Sequence, residues 1–167
     1  TVGSCLSRHP DIQMMSFTGS TRAGTSVTHD AAETVKRVTL ELGGKSPNIV
    51  FADCDLEAMI TASVRECMFN TGQSCDAPTR LLVERSCYDE ALKIIKLAAE
   101  AVEVGDPEEE GDHLGPLFDE IQFDRVQNMI AVGIDEGANL LVGGLGKPKG
   151  YEQGWFVKPT IFADVSN

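Results

Sequence analysis

The stretch IQMMSFTGSTRAGTSVTHDAAETVKRVTLEL, residues 12–42, decides the fold. IQMMSFTG reads as a short strand, STRAGTSVTHDAAETV as a helix beginning near Ser20, and KRVTLEL as the next strand. Strand, helix and strand in close succession make a βαβ unit, whose two strands run parallel.

The same alternation continues outward. SPNIVFA, residues 46–52, is strand-like and precedes a helix that starts at Asp53 or Asp55, either of which can cap free backbone N–H groups. Leu56, Met59, Ile60, Val64, Cys67 and Met68 recur at helical spacing, so that helix buries one face. TRLLVE reads as a strand and YDEALKIIKLAAEAVEV as another amphipathic helix. After the acidic turn GDPEEEGDHLGP comes a helix carrying Val126, Met129, Ile130 and Ile134, which Gly137 can end in a left-handed conformation. ANLLVGG and WFVKPTIFADV close the chain as strands around a Gly/Lys/Pro loop. The expected class is α/β.

Composition narrows the partners. The 167 residues suit one domain or a piece of a larger protein, and 42% hydrophobic with 24% charged residues fits a globular chain. A net charge of -12 argues against a nucleic-acid or anionic-membrane surface and points to small molecules or proteins. No apolar run reaches the roughly 18 residues of a membrane span. Five cysteines, odd in number and without a CxxC pair, read as reduced thiols in a cytoplasm-like compartment. His9, His29 and His113 are scattered without metal-ligand spacing, so no metal is expected.

Three stretches carry chemistry. In SFTGSTRAG a strand ends at Gly19 and a helix starts after Ser20, which sets backbone N–H groups at the positive end of a helix dipole. This is an anion site in outline or plain capping. In LELGGKSP, Glu41 sits near the end of an apolar strand beside Gly43 and Gly44. It reads either as the solvent-facing residue of an alternating strand or as a general base in a cleft. In FNTGQSCDAPTR, Cys75 follows Gly72, Gln73 and Ser74 and precedes Asp76, a setting for an exposed turn or a reactive sulfur. Cys5, Cys54, Cys67 and Cys87 lie in or beside apolar patterns and read as core fillers. A pairing of Cys75 with His113 is disfavoured, because His113 lies in what reads as a solvated acidic loop.

These stretches, in this order, resemble the NAD(P)-dependent aldehyde dehydrogenase superfamily. SFTGSTRAG looks like its cofactor loop, LELGGKSP like its glutamate signature and FNTGQSCDA like its cysteine signature, with Glu41 and Cys75 separated by 34 residues. GPLFDEIQFDRV and GWFVKPTIFADV continue the likeness over almost the whole chain. The resemblance implies the end of a Rossmann-type βαβ unit, residues 1–43 of an NAD(P)-binding domain, followed by an α/β catalytic domain from residue 44 to 167, truncated at its C-terminal end. It implies Cys75 as the nucleophile toward an aldehyde, Glu41 as the activator of the water that hydrolyses the thioester, and the Cys75 N–H as an oxyanion donor. Gly19 and Ser20 would face the pyrophosphate of NAD or NADP, with Leu42 and Gly43 near the nicotinamide.

Two departures stand out. Asp76 replaces a residue that is usually small or apolar, and Arg22 stands where many members carry an acidic residue. Family members are about three times as long, so the resemblance implies an internal fragment with little or no dehydrogenase activity of its own. The parent is then a homo-oligomeric, acid-forming oxidoreductase. The competing readings are a Cys75-dependent ester or amide hydrolase and an inert scaffold acting as an interaction module.

Overall fold

The computed structural model describes residues 2–166, which divide into two compact units, Thr1–Lys45 and Ser46–Asn167. In the first, helix α1 (Val2–Arg8) precedes β1 (Met14–Gly19), α2 (Thr21–Ala32) and β2 (Arg37–Leu42). β1 and β2 run parallel in a register that sets Thr18 opposite Glu41 and Gly19 opposite Leu42. Both strands alternate: Met15, Phe17, Val38, Leu40 and Leu42 are half-buried, while Ser16, Thr18, Thr39 and Glu41 are exposed. The buried side meets α2 at Gly24, where a Cβ would lie 2.8 Å from a Leu42 methyl. The missing side chain lets the helix descend onto the strand.

Ser20 caps α2, its Oγ accepting the Ala23 N–H at 3.2 Å. The sequence extends this helix to Val35, but it ends at Ala32. Val35 takes a left-handed φ of 53°, the Lys36 N–H reaches back to the Ala31 carbonyl and the Val35 N–H to Ala32, which is the bonding of a Schellman end. Helix α5 (Glu120–Asp135) closes the same way, the Ala138 N–H bonding Gly133 O and the Gly137 N–H bonding Ile134 O, with Gly137 at φ 81°. A β-branched residue pays about 1–2 kcal/mol in that conformation and glycine does not. Because the Val35 side chain is 89% exposed, no burial offsets the strain. Val35→Gly is therefore expected to stabilise the protein by about 1 kcal/mol in urea unfolding, less what the freer unfolded chain takes back. An unchanged or lower midpoint would show that the strain is absent.

Helix α1 has no counterpart in the sequence reading. Seven residues without a capping signature give periodicity too little length, and the helix is fixed from outside: Arg8 Nη2 and Nε donate to Asp30 Oδ1 at 2.7 and 2.9 Å, and Ser4 Oγ donates to Oδ2 at 2.8 Å. Hydrogen bonding from Arg8, then Ser4, holds the buried Asp30 carboxyl below its ordinary range.

The second unit begins with another parallel pair, β3 (Pro47–Val50) and β4 (Arg80–Val83), joined through α3 (Leu56–Met68). Of the two candidate caps it is Asp55 that acts, its Oδ1 accepting the Ala58 N–H at 3.2 Å. Helix α4 (Tyr88–Glu100) lies on α3, and Val50, Ile60, Val64, Ala91, Ile95 and Ala99 close the core between them. Of the predicted buried face of α3, Ile60 and Val64 are fully inside, while Met59 is 47% exposed. Helix α5 (Glu120–Asp135) buries Ile130 and leaves Met129 and Ile134 partly exposed.

β5 (Asn139–Val142) pairs antiparallel with β6 (Ile161–Ala163). The last strand is shorter than the sequence suggests, because residues 155–160 are held by side chains. The Lys147 ammonium lies 5.3 and 5.1 Å from the Phe123 and Trp155 rings, Lys158 Nζ donates to Leu145 O at 2.6 Å, and Pro159 has no N–H for a ladder. No helix among the described residues is long and apolar enough to cross a membrane.

Candidate active site

Cys75 sits on a tight turn between α3 and β4. The Ala77 N–H donates to Ser74 O at 3.3 Å, which leaves Cys75 and Asp76 at the two central positions, both exposed. Ala77 is buried and anchors the turn's far side. Among the described residues the Cys75 N–H donates to no acceptor, and no ion pair involves Asp76. An exposed sulfur beside an uncommitted amide can take an electrophilic carbon while the amide receives the oxygen that becomes negative.

The backbone leading into this turn is unusual. Helix α3 gives way to a 3-10 turn, Phe69–Gly72, in which Asn70, Thr71 and Gly72 follow one another at φ 50°, 56° and 70°. Asparagine and glycine tolerate that region; threonine, β-branched, carries about 1–3 kcal/mol of strain there. Four side-chain bonds hold it. Thr71 Oγ1 donates to Gly115 O at 2.9 Å, Gln73 Nε2 donates to Asn70 O at 3.1 Å, Gln73 Oε1 accepts the Phe118 N–H at 3.0 Å, and Asn70 Nδ2 reaches Gln73 O at 3.4 Å. The sequence marks Gly72 and Gln73 as the frame of the turn. It gives no sign of the two distant partners, the Gly115 carbonyl and the Phe118 N–H, which lie more than 40 residues away.

Other residues of this unit stand apart from that chemistry. His113 Nε2 lies 2.7 Å from Asp106 O inside its own acidic loop, and no bond joins its ring to Cys75. Glu108, Glu109 and Glu110 are exposed. An open groove of about 1050 Å³ runs along α3 and α4, lined by Asp55, Arg65, Glu66, Val102 and Asp112 among others, but not by Cys75. Of the cysteines read as core fillers, Cys87 is buried, and burial pushes its thiol up, whereas Cys54 and Cys67 are half-buried. Cys5 is exposed, a correction to the sequence reading: on a helix this short the neighbouring apolar residues do not define a buried face. None of the five is in a disulfide.

In the first unit Glu41 is exposed on the strand face opposite α2, alongside Thr18, the position that strand alternation dictates. Leu42 points the other way, its methyls against Gly24, so only its backbone is open to a ligand. Gly43 is exposed with nothing within 4 Å of a built Cβ, and its steric environment does not demand glycine. Gly19 does meet such a demand: the Phe17 ring lies 2.6 Å from where its Cβ would be. Ser20 has extended backbone, and the first turn of α2 carries Arg22 and no acidic residue. That donor set, main-chain N–H groups with a cation and no competing carboxylate, fits an anion such as a pyrophosphate.

The model of the aldehyde dehydrogenase family matches residues 1–167. The chain is 50% identical over 165 residues to a 3-succinoylsemialdehyde-pyridine dehydrogenase from a Pseudomonas species, which covers 99% of this chain and 35% of that protein. Among solved structures, an aldehyde dehydrogenase from Bartonella henselae is 53% identical with a TM-score of 0.95, covering 99% of this chain and 35% of the other. A cysteine-to-alanine mutant of Pseudomonas syringae aldehyde dehydrogenase C, in complex with NAD+ and octanal, is 48% identical with a TM-score of 0.94 over 99% of this chain and 34% of that one. The chain thus spans about 35% of the length of the curated relatives it matches. The family model spans all 167 residues, so this α/β chain belongs to the aldehyde dehydrogenase family.

Proposed function

We propose that the full-length protein carrying this chain oxidises an aldehyde to a carboxylic acid with NAD+ or NADP+. The observation that carries the reading is the Cys75 turn: a solvent-exposed thiol, a free N–H on the same residue, and a bonded scaffold beneath them, in a chain of this family. Residues 1–43 then supply the end of the cofactor domain and residues 44–167 most of the catalytic domain. The relative solved with NAD+ and octanal supports a nicotinamide cofactor and an aldehyde substrate.

In this reading the Cys75 sulfur, its proton passed to solvent, adds to the aldehyde carbon, and the Cys75 N–H donates to the oxygen as it gains charge. A bound nicotinamide supplies the two-electron acceptor for the aldehydic hydride. Gly19, Ser20 and the first turn of α2 would hold its pyrophosphate, and the Leu42 and Gly43 backbone would border the nicotinamide. Collapse to the thioester leaves the acyl group on Cys75. Glu41 then takes a proton from water as that water attacks the acyl carbon, and the acid leaves with the sulfur restored. The parent is a homo-oligomer of the cytoplasm, and a net charge of -12 on this stretch disfavours nucleic acid and anionic membranes as partners.

Incubating the full-length protein with a panel of aldehydes is expected to yield reduced cofactor, followed by its near-ultraviolet absorbance, only when both aldehyde and oxidised cofactor are present. Acid or alcohol formed at equal rate from an ester or amide without cofactor, and no reduced cofactor with any aldehyde, would favour a hydrolase instead.

A further inference from the structure

We infer that Gln73 is a positioning residue for Cys75, its side-chain amide bridging Asn70 O and the Phe118 N–H so that the thiol-bearing turn is fixed against residues 115–118. The inference rests on the role proposed for Cys75. It is carried by geometry that nothing in that role requires. Both ends of one amide are used, Nε2 donating to Asn70 O at 3.1 Å and Oε1 accepting from Phe118 N at 3.0 Å. The residue's own N–H also goes to Asn70 O at 3.1 Å, so Gln73 closes a ring over the left-handed run Asn70, Thr71 and Gly72. Thr71 Oγ1 ties the middle of that run to Gly115 O. Two residues beyond Gln73 stands Cys75, whose side chain makes no bond of its own.

The physical consequence is a division of labour. A thiol at the centre of a tight turn has only its backbone to aim it, and the backbone before it lies in a region that relaxes readily toward ordinary dihedral angles. The bridge removes that freedom. Phe118, 88% exposed as a residue, contributes its N–H. The 115–118 segment is in turn held where the Leu117 N–H donates to Trp155 O at 2.9 Å, and Leu117 is buried. Small displacements of a reacting atom are costly in rate, which gives the bridge its expected weight.

The test is a first-turnover measurement on the full-length protein with an aldehyde substrate. Gln73→Met keeps the volume and removes both bonds; Gln73→Glu keeps an acceptor for the Phe118 N–H and removes the donor. Expected is a fall of about 30-fold in the first-turnover rate for Gln73→Met, with KM for the aldehyde within about threefold and the thermal midpoint nearly unchanged. Gln73→Glu should recover a large part of that loss. The proposal is overturned by a Gln73→Met rate within threefold of the parent, by a loss confined to KM, by a loss that tracks the unfolded fraction, or by a Glu variant no better than Met. Oxidation that survives Cys75→Ala would instead sink the catalytic reading and this proposal with it.

Discussion

Replacing Cys75 by alanine in the full-length protein is expected to lower the rate of aldehyde oxidation by about 10⁴-fold or more, a loss typical of removing a covalent nucleophile. The expectation follows from the turn. Ser74 O and the Ala77 N–H close it without help from the sulfur, and the side chain is exposed, so alanine leaves no cavity and breaks no bond. Stability should therefore change by less than about 0.5 kcal/mol, the usual range for a surface position. The combination of lost turnover with an intact thermal midpoint is what separates a chemical role from a structural one. Cys5, exposed in the first unit, is the natural control: Cys5→Ala should leave the rate unaltered.

The second large effect concerns Glu41. Glu41→Gln is expected to slow steady-state turnover by about 10²-fold, close to 2.7 kcal/mol, the lower part of the range for a lost general base. The first turnover should survive, because in the proposed reaction the carboxylate enters only when water attacks the acyl carbon of the thioester. A rapid release of one reduced cofactor per active site, followed by a slow phase, is the expected trace. Loss of the burst along with the steady state would place Glu41 in an earlier step. Folding offers little complication, since Glu41 is exposed on β2, in register with Thr18, and its side chain takes part in no hydrogen bond among the described residues.

Much of this could be read before any coordinates. The two parallel pairs, β1 with β2 and β3 with β4, follow from short apolar runs separated by amphipathic helices, since strands so joined run side by side in the same direction. Ser20, Asp55 and Gly137 announce helix ends because each does locally what an end requires, accepting a free N–H or adopting a left-handed φ. The face of Glu41 follows from period-two alternation alone.

What was not legible has a common cause. Val35 occupies a glycine's conformation, so the end of α2 carries no residue signal, although the Lys36 and Val35 N–H groups close it with ordinary Schellman bonds. Helix α1 is held by Arg8 and Asp30, which are 22 residues apart. The strand expected over residues 155–160 gives way to side-chain contacts, the Lys147 ammonium over the Trp155 ring and Lys158 Nζ on Leu145 O. At the candidate site, the composition of FNTGQSC names the frame, but two of the four bonds that fix it run to the main chain of Gly115 and Phe118, and backbone atoms are the same whatever the residue.

One measurement bears on the chemistry without intermediaries. The Glu41→Gln protein is mixed with an aldehyde and the oxidised cofactor, quenched in acid at the end of the burst, digested, and its peptides are weighed. The peptide containing Cys75 should gain the mass of the acyl group less one hydrogen, in proportion to the cofactor reduced, with every other cysteine peptide unaltered. Reduced cofactor formed while that peptide keeps its original mass, or an acyl group found on another residue, would contradict a reaction carried on the Cys75 sulfur.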